Sequence, residues 1–180
     1  QPLDLRPLLA EAAALTPIPA SERVLSDVAA FIAERLRGWL RDEGWRYDVV
    51  DAVLAQRGTD PYSARRAAAQ LTVWVERADW PDLLNAYGRC IRIVRDQPHM
   101  ARYQPGLDPE PATLALAEAT RAAQVQVTPE SDVDRLFTAL HPMIPAINRF
   151  FDAVLVMHED PALRQNRLAL LHEIWSLSRG

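Results

Sequence analysis

The sequence contains no lysine, one cysteine and six glycines. A single thiol, Cys90, excludes an internal disulfide and fits a reducing compartment. The glycines stand singly, as helix stops, so no glycine-rich phosphate-binding loop is present. No apolar run approaches the roughly 18 to 20 residues that a membrane-spanning helix needs. His99, His141, His158 and His172 are far apart, and no two have the three- or four-residue spacing of paired metal ligands. The serines lie in no nucleophile-elbow context, and no adjacent His-Asp pair of a phosphohydrolase occurs. Cys90 has no histidine near it in sequence and reads as a buried inert thiol. The chain therefore has no visible means of catalysis and no metal site.

Without lysine, all 20 basic side chains are arginine, and against 24 carboxylates they leave a formal net charge of −4. The whole molecule is not a cationic sponge for nucleic acid. An all-arginine cation set has two readings. One is codon bias in a GC-rich genome; the other is a local patch that binds phosphate or stacks on bases. Hydrophobic residues make up 49%, ample for a core in one domain or a domain with an appended arm. The opening Gln1-Pro2-Leu3-Asp4 has neither signal-peptide nor transit-peptide character, and its start without methionine suggests a piece of a longer polypeptide.

Nearly every segment reads as helix. Leu5 to Leu15 forms a short one, ended by Thr16-Pro17-Ile18-Pro19. Ser21 caps a long amphipathic helix with Val24, Val28, Phe31, Ile32, Leu36, Trp39 and Leu40 as its stripe and Gly44 as its stop. Asp48, with Asp51 three residues on, has the pattern of a helix cap with an acidic first turn, and Gly58 ends that segment. Asp60-Pro61 opens a helix carrying Arg65, Arg66, Leu71, Trp74 and Val75. Asp79-Trp80-Pro81-Asp82 opens the next, with Leu84, Tyr87, Ile91 and Val94 expected on its inner face. Arg89, Arg92 and Arg95 then fall along one outward flank, either as a solvated face or as a basic stripe.

From Gln97 to Pro111 the prolines Pro98, Pro105, Pro109 and Pro111 predict an irregular loop, functional or mobile at this length. Within it, Arg102, Tyr103 and Gln104 offer stacking and hydrogen bonds to an unpaired base. Ala112 to Val127 is an alanine-rich helix, and Thr128-Pro129 is expected to open another, with Pro142 and Pro145 bending or restarting the chain afterwards. Two apolar helical patterns then meet at Asp160-Pro161, where Asp160 accepts from the free amides of the last helix. That helix carries Leu163, Leu170, Leu171, Ile174 and Leu177 on one stripe, and Arg167 shares it. A guanidinium there requires a carboxylate or several carbonyls. No repeat and no period-two strand is present, so the fold class is all-α, a bundle of about seven to nine helices.

Three blocks carry a family resemblance. Phe31-Ile32-Ala33-Glu34-Arg35-Leu36 through Tyr47-Asp48-Val49-Val50-Asp51-Ala52-Val53-Leu54-Ala55 resembles "F-x-x-E-R-L … Y-D-V-V-D-A-V-L-A" of bacterial glycyl-tRNA synthetase β subunits. Ala86-Tyr87-Gly88-Arg89-Cys90-Ile91-Arg92-Ile93-Val94 resembles that family's "K-R-V-x-N-I", with Gly88 in place of its lysine and Arg92 in place of its asparagine. Phe150 to Met157, then Arg164-Gln165-Asn166-Arg167-Leu168-Ala169-Leu170-Leu171, resembles the family's C-terminal end most specifically. Leu3-Asp4-Leu5-Arg6 resembles the segment just upstream.

The resemblance implies a helical anticodon-binding domain, of the kind shared with arginyl-tRNA synthetases, over residues 21–180, with 1–20 as an arm to an upstream region. It implies a cytoplasmic, membrane-free ligase in which a separate α subunit uses ATP and glycine. The β subunit would grip the anticodon arm of tRNA(Gly), and this segment would hold no cofactor. Arg89, Arg92 and Arg95 are then the RNA-facing residues, with Arg65, Arg66 and Arg102 next. Asp48, Asp152, Asn166 and Arg167 match family-typical positions and read as structural, as caps and, for Arg167, a partly buried ion pair. Two alternatives remain: the anticodon-binding domain of another, arginyl-type synthetase, or a helical protein-interaction module that docks through Trp74, Trp80 or Trp175.

Overall fold

A computed structural model describes residues 3–97 and 101–179; Gln1, Pro2, Pro98, His99, Met100 and Gly180 lie outside the described residues. Among these the chain is all-helical, and it divides into two compact units, Gln1–Glu76 and Arg77–Gly180.

The first unit contains α1 (Leu5–Ala14), α2 (Glu22–Asp42), α3 (Tyr47–Arg57) and α4 (Pro61–Val75). Its core is Leu36 and Leu40 of α2, Val49, Val50, Val53 and Leu54 of α3, and Ala64, Ala67, Ala68 and Trp74 of α4. The small alanines of α4 let it approach α3 closely. Gly58, at the end of α3, allows a close approach to α2: a Cβ there would lie 2.9 Å from the Leu54 carbonyl oxygen and 3.2 Å from Ala33 Cβ. Gly44 stops α2 with φ +92°, a backbone that only glycine adopts without strain. Asp4 caps α1 and ties it to the α3–α4 turn, accepting from the Thr59 hydroxyl at 2.9 Å, while the Leu5 N–H donates to the Thr59 carbonyl. From Leu3 to Arg35 no residue is buried, and Leu15 and Ile18 are 87% and 80% exposed.

Two boundaries differ from the sequence reading. The α3 helix starts at Tyr47 with Arg46 as its N-cap residue, so Asp48 is not the cap. Its carboxylate instead pairs with the Arg46 guanidinium at 2.7 Å and accepts from the Val49 N–H, which holds the carboxyl below the usual range. Trp74, offered as part of a docking patch, is buried and only 5% exposed.

The second unit contains α5 (Trp80–Val94), a 3-10 turn at Pro105–Leu107, α6 (Pro111–Gln126), α7 (Val133–Leu140), a second 3-10 turn at His141–Met143, α8 (Ile144–Ala153) and α9 (Pro161–Ser176). The Thr128-Pro129 pair does not open α7. Thr128 and Ser131 close a turn on each other, and Asp132 caps the helix by accepting from the Arg135 N–H. Asp160 caps α9, accepting from Ala162 N–H at 2.8 Å, with Pro161 in the first turn. α9 is the central element. Every residue from Asn166 to Leu171 is buried, so it is covered on all sides rather than along one stripe, with α5 and α6 among the elements packed on it.

Candidate nucleic-acid interface

α5 turns Leu83, Ala86, Tyr87, Cys90 and Val94 inward. Leu84, expected on that inner face, is 55% exposed; the core stripe runs one residue earlier, through Leu83. Burial pushes the Cys90 thiol up to about 12, so it is a neutral group at physiological pH. The N-terminus of α5 is fixed by Asp79, whose carboxylate takes two hydrogen bonds from Arg77 and one contact of 2.7 Å with His141 Nε2. Those partners hold it well below the usual carboxylate range.

Arg89 and Arg92 stand on successive turns of α5 and Arg95 is its C-cap residue, but the three have different surroundings. Arg89 is half-buried, its guanidinium carbon 4.2 Å from the centroid of the Phe151 ring of α8. Phe151 in turn meets Phe150 edge-on at 5.4 Å, which fixes the ring from below. Arg92 is exposed and folds back over Gly88: its Nη1 lies 3.2 Å from the place a Cβ on Gly88 would occupy. Arg95 is exposed and pairs with its neighbour Asp96 at 3.2 Å. Among the described residues, Arg89 and Arg92 thus keep a cation without a carboxylate partner, whereas the charge of Arg95 is partly answered by Asp96.

Segment 101–110, read as an irregular loop, is pinned to α9. The Tyr103 N–H donates to Glu173 Oε1 at 3.2 Å. The Asn166 carboxamide accepts from the Gln104 N–H at 2.8 Å and donates to the Gln104 carbonyl at 2.9 Å. Arg167 Nε and Nη2 donate to the two Asp108 oxygens at 2.7 and 3.3 Å, and its Nη1 donates to the Leu155 carbonyl at 2.8 Å. These side chains are 9% and 2% exposed, so the ion pair is buried outright. Asp108 also accepts from the Thr113 hydroxyl and the Glu110 N–H. Burial pushes its carboxyl up, but Arg167 and these donors outweigh burial and hold it below the usual value.

Tyr103, proposed to stack on a base, is 8% exposed and points into the unit, so its ring is not available for stacking. Arg102 and Gln104 on either side of it are exposed, and no carboxylate among the described residues pairs with Arg102. Arg65 and Arg66 lie in the first unit, on α4. Arg65 is paired with Glu43 at 3.1 Å, and Arg66 is exposed. Asp152 is exposed in the last turn of α8, where, among the described residues, it neither caps a helix nor pairs with a cation.

Three participants carry no local sequence signal. Phe151 resembles a core residue beside Phe150, Asp108 is one acid in a proline-rich stretch, and Glu173 sits among apolar neighbours. Each acquires its role from a partner far along the chain. Among the described residues no group of three metal-ligating side chains occurs, and no helix is long and apolar enough to cross a membrane.

No family model matches the sequence. Individual relatives do. The chain is 36% identical over 185 residues to a glycine--tRNA ligase beta subunit of Haemophilus influenzae, covering 98% of this chain and 26% of that protein. It is 35% identical over 166 residues to the Desulfitobacterium hafniense protein of the same name, covering 88% and 23%. It is 34% identical over 181 residues to that of Chromohalobacter salexigens, covering 97% and 26%. The chain thus spans about a quarter of the length of the curated relatives it matches. It is homologous to one segment of a subunit of an aminoacyl-tRNA synthetase, which is a ligase.

Proposed function

We propose that this chain, homologous over nearly all its length to a segment of glycine--tRNA ligase beta subunits, grips the anticodon arm of tRNA(Gly). Residues 21–180 are the anticodon-binding domain in this reading, with 1–20 as the arm to the rest of a β subunit. The protein works in the cytoplasm beside an α subunit, where ATP and glycine are consumed, and this segment performs no chemistry itself.

The observation that carries the reading is the guanidinium of Arg89 laid on the Phe151 ring, with Arg92 nearby on α5 and neither answered by a carboxylate among the described residues. Sequence-specific RNA reading targets unpaired loop bases, which stack on aromatic or guanidinium planes and bond along their edges. Arginine suits both stacking and bidentate phosphate contact. A net charge of −4 does not by itself oppose this, because exposed charges more than about 10 Å apart are largely screened at ordinary ionic strength. The two departures from the family's "K-R-V-x-N-I" element are neighbours in space. The cation that the family carries at position 88 is supplied here by Arg92, whose guanidinium lies over Gly88. Arg102, exposed on the pinned segment of the same unit, adds a further cation, and Arg95, paired with Asp96, contributes less.

Filter binding with purified tRNAs tests the reading. Glycine tRNA is expected to bind more tightly than arginine tRNA, and Arg92→Glu is expected to weaken binding roughly ten- to hundredfold, the loss of one charge-assisted hydrogen bond of about 1.5–3 kcal/mol. The helical content should not change. Unaltered binding by Arg92→Glu refutes the assignment, and a preference for arginine tRNA identifies an arginyl-type domain instead.

A further inference from the structure

The side chain of Asn166 is buried on α9, where the helix already satisfies the backbone, and both of its polar atoms are given to one residue of another segment. The carboxamide orientation is dictated by that partner: the Gln104 N–H needs the oxygen and the Gln104 carbonyl needs the amide nitrogen. Gln104 is extended, with φ −119° and ψ 106°. In extended backbone, successive side chains point to opposite sides. Tyr103 accordingly points inward and is buried, and Arg102 and Gln104 on either side of it point out to solvent. Glu173 on the Tyr103 N–H and Arg167 on Asp108 hold the segment on both sides of this point.

We infer that Asn166 is a positioning residue for RNA recognition: by holding both peptide groups of Gln104 it presents Arg102 and Gln104 together as a guanidinium–carboxamide pair for an unpaired RNA nucleotide. This rests on the RNA-binding reading above. The guanidinium supplies donors for a phosphate, and the carboxamide supplies a donor and an acceptor for a base edge. With Gln104 held at its backbone before RNA arrives, binding has to order only the two side chains and not the segment that carries them. A segment released from α9 would have to be ordered by the RNA itself.

The test is fluorescence anisotropy of a glycine-tRNA anticodon stem-loop transcript with the 180-residue chain across a sodium chloride series. Arg102→Ala removes one cation and should reduce the slope of log affinity against log salt by about 0.7–0.9. Asn166→Ala removes no charge, yet should reduce the slope by a similar amount, and the double variant should be no weaker than the more damaged single one. Leu168→Ala, which opens a cavity in the same helix and removes none of the hydrogen bonds that hold the segment, should lower the melting temperature and leave the slope alone. Asn166→Leu, near-isosteric and helix-compatible, carries the same expectation if the alanine variant does not fold. An unchanged slope for the Asn166 variants beside a reduced one for Arg102→Ala overturns the inference and leaves the RNA-binding reading standing. So does an equal slope change in Leu168→Ala. Binding that ignores Arg102→Ala also overturns it, and no binding by the unsubstituted chain overturns both.

Discussion

Arg167→Met should be among the most damaging single substitutions in this chain. The Arg167 guanidinium and the Asp108 carboxylate are both buried and joined by two hydrogen bonds, so removing the cation strands a charge away from water. Breaking a buried pair in this way costs about 3–5 kcal/mol. At roughly 2–4 °C per kcal/mol for a chain of this size, the melting temperature should fall by about 6–20 °C. The loss should also depend on pH. In the intact protein the Asp108 carboxyl is held below its ordinary value of about 3.9, so the stability it contributes is present above that pH and lost as pH falls through the folded value. Without Arg167, burial acts on Asp108 with less opposition and its pKa rises. The variant can then shed the stranded charge by protonation, so its deficit should be largest near neutral pH and shrink toward pH 4. Thermal melts of the two proteins by circular dichroism, at pH 7.5 and pH 4, give both numbers. Adding Asp108→Asn, whose one oxygen can still accept from the Glu110 N–H while its amide nitrogen donates to the Thr113 hydroxyl, should recover part of the loss at neutral pH. A deficit below about 1 kcal/mol, or one equal at both pH values, would mean that Asp108 is solvated after all and would refute this reasoning.

Cys90 should resist iodoacetamide at pH 8 in the folded chain and react on denaturation, because its thiol is buried and pushed up to about 12; labelling of the native protein at the rate of a free thiol would contradict this. Hydrogen exchange followed by mass spectrometry should find α1 and the part of α2 before Leu36 opening far more readily than α9, since no residue between Leu3 and Arg35 is buried whereas α9 is enclosed. Protection of α1 equal to that of α9 would overturn that ranking.

Much of the helical outline was legible because its punctuation is local. Ser21, Asp60 and Asp160 cap the helices that follow them, and Pro61 and Pro161 sit in their first turns. The all-α class follows from that punctuation together with helical periodicity. The two misplaced starts have the same origin. Aspartate favours both the cap and the first turn, so Asp48 was indistinguishable by type from a cap although Arg46 occupies that position. Thr128-Pro129 has the composition of a helix start but closes a turn of its own. Periodicity identified Arg167 as a cation on an apolar stripe, yet it names a face and never a partner, and Asp108 lies 59 residues away in sequence. The same limit hid the Asn166 hold on Gln104, 62 residues apart, and the Phe151 ring under Arg89. Arginine spacing on α5 suggested one uniform stripe, whereas ring packing, backfolding and a neighbouring carboxylate make Arg89, Arg92 and Arg95 three different groups.

The account stands most directly on the affinity of the 180-residue chain for a glycine-tRNA anticodon stem-loop as a function of salt. With Arg89, Arg92 and Arg102 as the phosphate-facing cations, the logarithm of affinity should fall linearly with the logarithm of salt at a slope of about −2 to −3. Binding that is indifferent to salt, or no binding at low salt, would contradict it.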